Sequence, residues 1–318
     1  MSVTSDSFLG LVKRRLTIPS NQVLLTDDNI LAMANECSQE QMVPTILSVN
    51  QNYFVYEPEV IPVEASKTVY SIPYRSIGRG LRDLKVRRGD QENWEASLAM
   101  IALEDANQYL NSVFSDCPLY FYFRGDKFVL VPTPQTDDVF ELFCYYNMQP
   151  NDLIQTTAAC YVESVSDNVV TCTNVPSTYM AGTLIDFIQG KSGSTTLAFD
   201  VEIQGVSSTQ ITFNSADDVP VDLVRGDWIS LAKTTPVIQL PDEGVPLLVL
   251  WTAARVCYAI GDFDGEQRLL SLSKEVKDNF LKIITPRIEG AQTKIINRNG
   301  LLRGMRNRGL FGWWNNNF

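Results

Sequence analysis

The chain has 318 residues, of which 45% are apolar and 20% charged, and its formal net charge is −11. This composition is typical of a globular protein, and the absence of histidine excludes Ser-His and Cys-His nucleophile pairs and every zinc site that contains histidine. The six cysteines are scattered without a Cys-x-x-Cys pair, so we expect small buried hydrophobic side chains rather than metal ligands or disulfides.

No segment is predicted to cross a membrane. The most apolar stretch, residues 245–260, is shorter than a spanning helix requires and is interrupted by Arg255. At the N-terminus the basic residues follow a short apolar patch, which reverses the order found in a signal peptide. We therefore expect a protein that is made in the cytoplasm and has no membrane partner.

The first part of the chain is predicted to be helical. Asp6 is placed to cap a short amphipathic helix, and Thr26 is placed to cap the next one, where two aspartates follow in the first turn. Pro44 is expected to end or kink this second helix, because proline lacks the N–H that an interior position needs. The helical pattern is then expected to resume, so that residues 42–56 form a further helical stretch.

Strands are predicted after Lys67. Apolar and polar residues alternate in residues 68–78 and 81–90, as in half-buried strands. The sequence LYFYFRGDKFVLVPTP, residues 119–134, predicts a hairpin, because two aromatic and β-branched runs flank a Gly-Asp turn. Residues 138–150 follow at once as a third strand, so we expect a meander of at least three strands.

The amino-acid composition changes between residues 151 and 241, where Thr, Ser, Val, Asp and Gly dominate. Short apolar runs recur there at intervals typical of a small antiparallel barrel or sandwich: AACYVESVS, NVVTCT, GTLIDFIQG, LAFDVEIQG, TQITFN and DWISLAK. We interpret residues 153–238 as a β-domain inserted between the strands before it and the helices after it.

Two helices are predicted to follow. Residues 245–262 are apolar around most of the helical circumference, which predicts a buried helix. Asp264 is expected to cap the next helix after a short link. That helix is predicted to bury a stripe formed by Leu269, Leu272, Val276 and Phe280.

The end of the chain differs in composition from the rest. Residues 285–318 carry six basic side chains and one acidic one, a formal charge of +5, which leaves −16 of the total for residues 1–284. Arginines suit bidentate contact with carboxylate or phosphate, and large aromatic side chains anchor interfaces. We predict an arm that becomes ordered on a partner, with these contact residues: Arg298, Arg303, Arg306, Arg308, Phe311, Trp313, Trp314 and Phe318.

Three motifs suggest a family. They are the strand Y-x-I-P-x-R at residues 70–75, the hairpin that leads into V-P-T-P at residues 131–134, and the strand ending Y-Y-N-M-Q-P-N-D-L at residues 145–153. Together with the order of predicted elements, they resemble the head-to-tail adaptor (connector) proteins of short-tailed bacteriophages. The resemblance covers the chain on either side of residues 153–238.

The resemblance implies an α+β fold. Residues 1–152 and 239–290 would form a helical-bundle ring body with a short antiparallel sheet. Residues 153–238, interpreted above as an inserted all-β barrel or sandwich domain, depart from the compact version of the family. Residues 291–318 would form an extended C-terminal docking arm that reaches the portal protein.

The implied function is that of a structural virion protein. In the family a homo-oligomeric ring, typically of twelve copies, lies beneath the portal at the head-tail junction and is assembled in the host cytoplasm. Its expected partners are the portal, a downstream tail or nozzle protein, and the double-stranded DNA that passes during ejection, with capsid or fibre proteins as candidate partners of the β-domain. The acidic body would let DNA slide through the ring, because contacts to phosphate are what retain it.

A second function class rests on acids of the β-domain. Two carboxylates at a suitable separation are sufficient for a tail-associated protein that cleaves glycan or peptidoglycan, and a carbohydrate-binding module is a further alternative. The available acids are Asp200, Glu202, Asp217, Asp218, Asp222 and Asp227. Because acids at β-turns are usually solvated, we favour a protein that is not an enzyme, with no catalytic residue, cofactor or metal.

Overall fold

A computed structural model describes residues 3–16, 25–56, 58–89, 95–106, 108–109, 117–137, 139–190 and 196–285. Contacts divide the chain into residues 1–285 and residues 286–318. The predicted docking arm and all of its named contact residues lie outside the described residues.

The helices at the two ends of the described chain pack together into one helical part. Its helices are α1 (Ser5–Leu16), α2 (Asp27–Cys37), α3 (Val43–Val49), α4 (Val245–Ile260) and α5 (Phe263–Ile284). They enclose one apolar core, whose large and fully buried members include Phe8, Ile30, Met42, Ile46 and Phe280. Burial of this apolar surface is the main stabilising contribution in this part of the protein.

The caps of the first two helices differ in how well they were predicted. Thr26 caps α2 as expected, because its side chain accepts a hydrogen bond from the Asn29 amide at 3.3 Å. The prediction for Asp6 was wrong. Thr4 accepts the amide hydrogen bond at the start of α1, and the Asp6 carboxylate instead accepts a hydrogen bond from the Thr156 hydroxyl.

Pro44 does not end the second helix. A π-helical turn, Ser38–Met42, joins α2 to α3, and the backbone remains right-handed helical at Met42 and Val43. The proline therefore stands in the first turn of α3, where a missing N–H costs little. The helix that follows ends at Val49, so the predicted continuation to residue 56 was wrong.

The predictions for helix α5 also required corrections. Asp262 caps α5 by accepting a hydrogen bond from the Gly265 amide at 2.9 Å, so Asp264 is not the cap. Leu272 is exposed, and Ser273 is buried in its place, whereas Phe280 is buried as predicted. The predicted stripe was wrong at that one position, which lies on the side of the helix that faces solvent.

Helix α4 is buried, as its sequence predicted. Among the described residues, one stretch, Asp242–Ile260, is long and apolar enough by composition to cross a membrane. It exceeds the length expected from sequence because a 3-10 turn, Asp242–Gly244, leads directly into α4. Within the fold, 67% of its most apolar window is buried, as in the core helix of a globular protein.

Two four-stranded sheets face each other across a second core. The strands are β1 (Glu59–Pro62), β2 (Val69–Ser71), β3 (Asp83–Arg88), β4 (Glu95–Ser97), β5 (Ala99–Met100), β6 (Tyr120–Arg124), β7 (Lys127–Val131) and β8 (Phe140–Tyr145). One sheet has the order β1-β8-β3-β4 and the other β2-β7-β6-β5. Side chains of both sheets, among them Leu84, Leu130 and Leu142, form a single buried cluster.

The predicted hairpin is present as β6 and β7, but the predicted meander was wrong. Strand β8 pairs with β1 and β3, whereas both edges of β7 are already occupied, by β2 and β6. A local hydrophobic pattern identifies a strand and its buried face but does not choose the neighbouring strand.

All six strands expected in the β-domain are present, and they form a closed antiparallel barrel in the order β10-β11-β14-β13-β12-β15. Their bounds are β10 (Cys160–Ser166), β11 (Val169–Cys172), β12 (Leu184–Ile188), β13 (Thr196–Val206), β14 (Gln210–Phe213) and β15 (Trp228–Leu231). Closure leaves no sheet edge with unpaired backbone groups. The interior is filled by apolar side chains, including Phe187 and Phe213.

The chain enters and leaves the barrel at one place. Strand β9 (Asp152–Leu153) precedes the barrel, β16 (Thr234–Thr235) follows it, and the two pair in parallel. This pairing brings the residues before β9 close to the barrel strands. None of the six cysteines, all of which are described residues, forms a disulfide; five are buried as predicted, and Cys117 is half-buried.

Candidate functional site at the body–barrel junction

The first family motif ends in a buried arginine. Strand β2 ends at Ser71, Pro73 prevents its continuation, and Arg75 follows with its guanidinium directed at the barrel. Its Nη1 and Nη2 donate to the two carboxylate oxygens of Asp186 at 3.0 and 2.8 Å, a bidentate arrangement. Its Nε and Nη2 donate to the two carboxylate oxygens of Asp200 at 2.9 and 2.6 Å.

The third family motif supplies the remaining acceptor. Asn151, near the end of Y-Y-N-M-Q-P-N-D-L, accepts a hydrogen bond from Arg75 Nη1 at 3.2 Å through its Oδ1. All five N–H groups of the guanidinium are thereby bonded. The Asn151 Nδ2 donates to Asp186 at 2.8 Å, so the ends of two motifs meet on one barrel carboxylate. We call Arg75, Asn151, Asp186 and Asp200 the junction cluster.

Asp186 is the most enclosed member of the junction cluster. It lies on β12, is fully buried, and accepts hydrogen bonds from Arg75 and Asn151 and from the backbone amides of Asp200 and Lys233, at 3.1 and 3.0 Å. Burial raises the pKa of this carboxyl, and the charge of Arg75 acts in the opposite direction. A buried carboxylate with so many donors is a geometric anchor, because few other arrangements could satisfy it.

A β-bulge directs Asp200 toward Arg75. Ile185 on β12 pairs with Val201 on β13, and Phe187 pairs with Ala198. Asp186 therefore stands opposite two residues of β13, positions 199 and 200, instead of one. Asp200 has a φ of +56°, a backbone conformation that is unusual for a residue other than glycine. Its hydrogen bonds hold it there.

The acidity of Asp200 reflects these contacts. Burial raises the pKa of its carboxyl, but hydrogen bonds from Arg75 and Tyr74 and the charge of Arg75 outweigh burial and hold the pKa below its usual range. The Tyr74 hydroxyl donates a hydrogen bond to the Asp200 carboxylate, and the centre of the Tyr74 ring lies 5.5 Å from the central carbon of the Arg75 guanidinium. Asp200 is therefore an ionised partner of Arg75 at neutral pH.

A small pocket opens beside the junction cluster. It has a volume of about 280 Å³ and is lined by Tyr56, Pro58, Glu59, Tyr74, Arg75, Tyr146, Phe199 and Asp200. Burial is the main cause that raises the pKa of both Tyr74 and Tyr146 to about 12, so both phenols are neutral at physiological pH. We call this cavity the junction pocket.

Comparison with known families decides the family of the chain. The family described as SU10 adaptor protein matches residues 4–187, more than half of the sequence. The chain belongs to the SU10 adaptor protein family. A search of curated proteins found no match. The family agrees with the resemblance to phage adaptors noted from the motifs, and this SU10 adaptor is accordingly a structural adaptor protein of bacteriophages.

The matched residues contain most of the junction cluster. Arg75, Asn151 and Asp186 lie inside the match, and Asp200 lies beyond it. The match also runs through β10 and β11 and ends within β12, inside the region interpreted as an insertion. The division of this adaptor into a body and an inserted domain at residues 153–238 therefore stays a prediction.

The acids singled out from the sequence have different environments in this SU10 adaptor. Asp200 is bound by Arg75, and Asp227 is buried and accepts hydrogen bonds from the amides of Gly190 and Val224 at 2.9 and 2.8 Å. Asp218 accepts a hydrogen bond from the Ser215 amide at 2.9 Å. The other three are exposed: Glu202, Asp217 and Asp222. The hydrogen bonds of these three bonded acids hold parts of the barrel in place.

Asp186 and Asn151 were not predicted from the sequence as site residues. Asp186 stands between Ile185 and Phe187 in a run predicted to be a buried strand, and a carboxylate at such a position requires a partner. This isolated acid in an apolar run was the sequence signal that could have identified Asp186. Within the described ranges, no group of three or more Cys, Asp or Glu side chains is arranged to hold a metal ion.

Proposed function

We propose that this SU10 adaptor is a head-to-tail adaptor that forms a ring, with the twelve copies typical of the phage adaptors it resembles, beneath the portal. In this proposal the ring attaches the tail through a downstream tail or nozzle protein and lets double-stranded DNA pass during ejection. The protein acts without enzymatic activity at the head-tail junction of the virion and is assembled in the host cytoplasm. The family match over residues 4–187 is the observation that carries the proposal.

Exposed apolar side chains on the helical part support contacts between copies. Tyr258, Ile260 and Phe263 are all exposed around the link between α4 and α5, and the rings of Tyr258 and Phe263 lie 5.9 Å apart. A cluster of exposed apolar residues commonly marks a protein interface. Closed symmetry repeats such a contact around the ring, so a modest interface per subunit is sufficient.

The charge distribution supports DNA passage. Residues 1–284 account for −16 of the formal charge, against +5 for residues 285–318. An acidic wall gives phosphate groups few cations to bind, so DNA would move past it without being retained. A structure of the assembled ring with a lumen lined by lysine and arginine would contradict this part of the proposal.

The C-terminal arm, residues 291–318, is proposed to bind the portal through the contact residues named from the sequence. Deletion of residues 298–318 should leave a folded, soluble protein that no longer attaches to heads. Circular dichroism tests the fold, and sedimentation with purified portal-containing heads tests attachment. Truncated protein that still assembled onto heads would remove the arm from the proposal.

The decisive experiment for the ring is a mass measurement of the purified protein with and without portal. We expect a mass corresponding to a closed ring in the presence of portal. A protein that stays monomeric and does not bind portal would contradict the proposed function. The β-domain is proposed to face capsid or fibre proteins, and crosslinking in assembled particles would identify that partner.

A further inference from the structure

The junction pocket has aromatic walls that are fixed in place. The rings of Tyr56 and Phe199 meet edge to face with centres 5.1 Å apart, and the Tyr56 hydroxyl donates to the carbonyl of Thr196 at 2.6 Å. Tyr74 is held by its hydrogen bond to Asp200. Because these side chains are already held by the fold, a ligand would not have to order them on binding.

Around the junction pocket, the acidic side chains of the described residues outnumber the basic ones. Arg75 forms ion pairs with Asp186 and Asp200, and the Lys233 ammonium lies 4.2 Å from the centre of the Tyr74 ring. Glu59, exposed at the rim, adds one more negative charge, and no basic side chain of the described residues forms an ion pair with it. Although part of the Glu59 side chain reaches solvent, the surrounding protein partly desolvates its carboxyl, and this desolvation together with the charge of Asp200 raises its pKa.

The junction pocket is unsuited to an anion. Among the described residues that line it, Arg75 supplies the one guanidinium, and all five N–H groups of that side chain are bonded to Asn151, Asp186 and Asp200. An incoming carboxylate or phosphate would find no free donor on Arg75 and would meet the charge of Glu59. The volume of about 280 Å³ is also below the range usual for pockets that take drug-sized ligands.

The walls suit a cation. Aromatic faces carry partial negative charge and attract guanidinium and ammonium groups. This preference is already visible in the junction pocket, because the Arg75 guanidinium lies 5.0 Å from the centre of the Phe199 ring and 5.5 Å from that of Tyr74. A second cation could contact the aromatic walls and pair with Glu59.

We propose that the junction pocket binds one alkylguanidinium or alkylammonium group, with Glu59 as its counter-charge and the rings of Tyr56, Tyr74, Tyr146 and Phe199 as its walls. The group has two possible sources, a basic side chain of another protein chain or a free polyamine. The same chemistry recognises both. The inference does not depend on ring formation or on portal binding.

The test uses the full chain and isothermal titration calorimetry with n-butylguanidinium as the probe. We expect Glu59→Gln to weaken binding about tenfold or more, because it removes the counter-charge. Phe199→Leu should weaken binding about fivefold, because it removes an aromatic face. Glu202→Gln is the matched control, since it makes the same charge change at an exposed barrel residue and should bind like the unmodified protein.

A second probe distinguishes the two sources. A synthetic peptide with the sequence of residues 298–318 presents four arginine side chains. Binding of this peptide at least about tenfold tighter than n-butylguanidinium, and sensitive to Glu59→Gln, would assign the pocket to a side chain of a protein. Equal or weaker peptide binding would assign it to a free cation.

Two results would overturn the proposal. One is that neither n-butylguanidinium nor the peptide binds to the unmodified protein. The other is equal binding by the Glu59→Gln and Glu202→Gln variants, which would show that the cation responds only to the overall acidity of the protein. Because Glu59 is exposed at the rim, its replacement is expected to leave the fold intact even if Phe199→Leu does not.

Discussion

Two arginines of this SU10 adaptor each bind two carboxylates, in opposite surroundings. The Arg75 side chain is 5% exposed, and its partners Asp186 and Asp200 are 0% and 26% exposed. The Arg255 side chain is 31% exposed, and its partners Glu36 and Glu40 are 57% and 62% exposed. The chemical groups are alike, so the comparison isolates the effect of burial.

The two clusters also connect different things. Arg255 lies on α4, and its partners lie on α2 and the π-helical turn, elements that already share an apolar core. Arg75 follows β2 of the four-stranded sheets and binds two strands of the barrel. The sheets and the barrel each have an apolar core of their own. Charge pairing is therefore redundant at Arg255, whereas at Arg75 it is a principal connection between two cores.

The largest expected effect is that of Arg75→Met. Removing the guanidinium leaves Asp186 buried without its counter-charge, and breaking a buried ion pair in this way costs about 3–5 kcal/mol of the free energy of unfolding. Urea denaturation followed by circular dichroism measures the loss. We also expect the single transition to separate into two, because the barrel and the body lose a shared set of hydrogen bonds.

Arg75→Lys sharpens the same test. Lysine keeps the charge but has three donors on one nitrogen, so it cannot replace the five hydrogen bonds that the guanidinium makes to two carboxylates and an amide oxygen. The variant should recover only a minor part of the lost stability. A lysine variant as stable as the unmodified protein would show that charge alone, without the guanidinium geometry, holds the junction.

Asp186→Asn is expected to have the next largest effect. The amide keeps the size of the carboxylate but loses its charge and one acceptor oxygen, so donors of Arg75 and of the backbone are left without a full partner. Because Asp200 still neutralises Arg75, we expect a loss of about 2–3 kcal/mol, less than for Arg75→Met. Thermal and urea unfolding of both variants under one set of conditions measure the order.

Acid titration isolates the contribution of Asp200. Its folded-state pKa is lowered, so its ionised form stabilises the fold above the unfolded pKa of about 3.9, and this contribution is lost as the pH falls through the folded value. Asp200→Asn should therefore be about 1–2 kcal/mol less stable than the unmodified protein at pH 7. The difference should shrink below about pH 4. A difference that stayed constant to pH 2 would mean that Asp200 contributes through packing instead of charge.

Sequence reasoning identified the strands of the barrel because each is a short apolar run between turn residues. It also identified both motifs whose ends meet in the junction cluster. The existence and buried face of an element depend on neighbours within a few residues, and such patterns are readable directly. Prediction was weaker wherever the partner is distant in the chain.

The junction cluster is the clearest such case. Asp186 and Asp200 lie 111 and 125 residues after Arg75, so no spacing rule brings them together. Strand β8 was misassigned for a related reason, because its pairing with β1 and β3 depends on which sheet edges other strands have already occupied. The bulge that turns Asp200 toward Arg75 follows from the register of β12 and β13, which the sequence pattern did not specify.

The smallest expected effect is that of Arg255→Met, the exposed counterpart of Arg75→Met. Arginine and methionine both cover apolar surface with their stems, so the substitution removes the charge while keeping part of the packing. Exposed ion pairs contribute about 0–1 kcal/mol, and we expect a loss within that range. Sodium chloride at about 1 M shortens the Debye length to about 3 Å and should remove most of the difference. The loss in Arg75→Met should persist at that salt concentration, because solvent ions do not reach Asp186. If the two variants instead lost similar stability and responded alike to salt, burial would not be the property that distinguishes the two clusters.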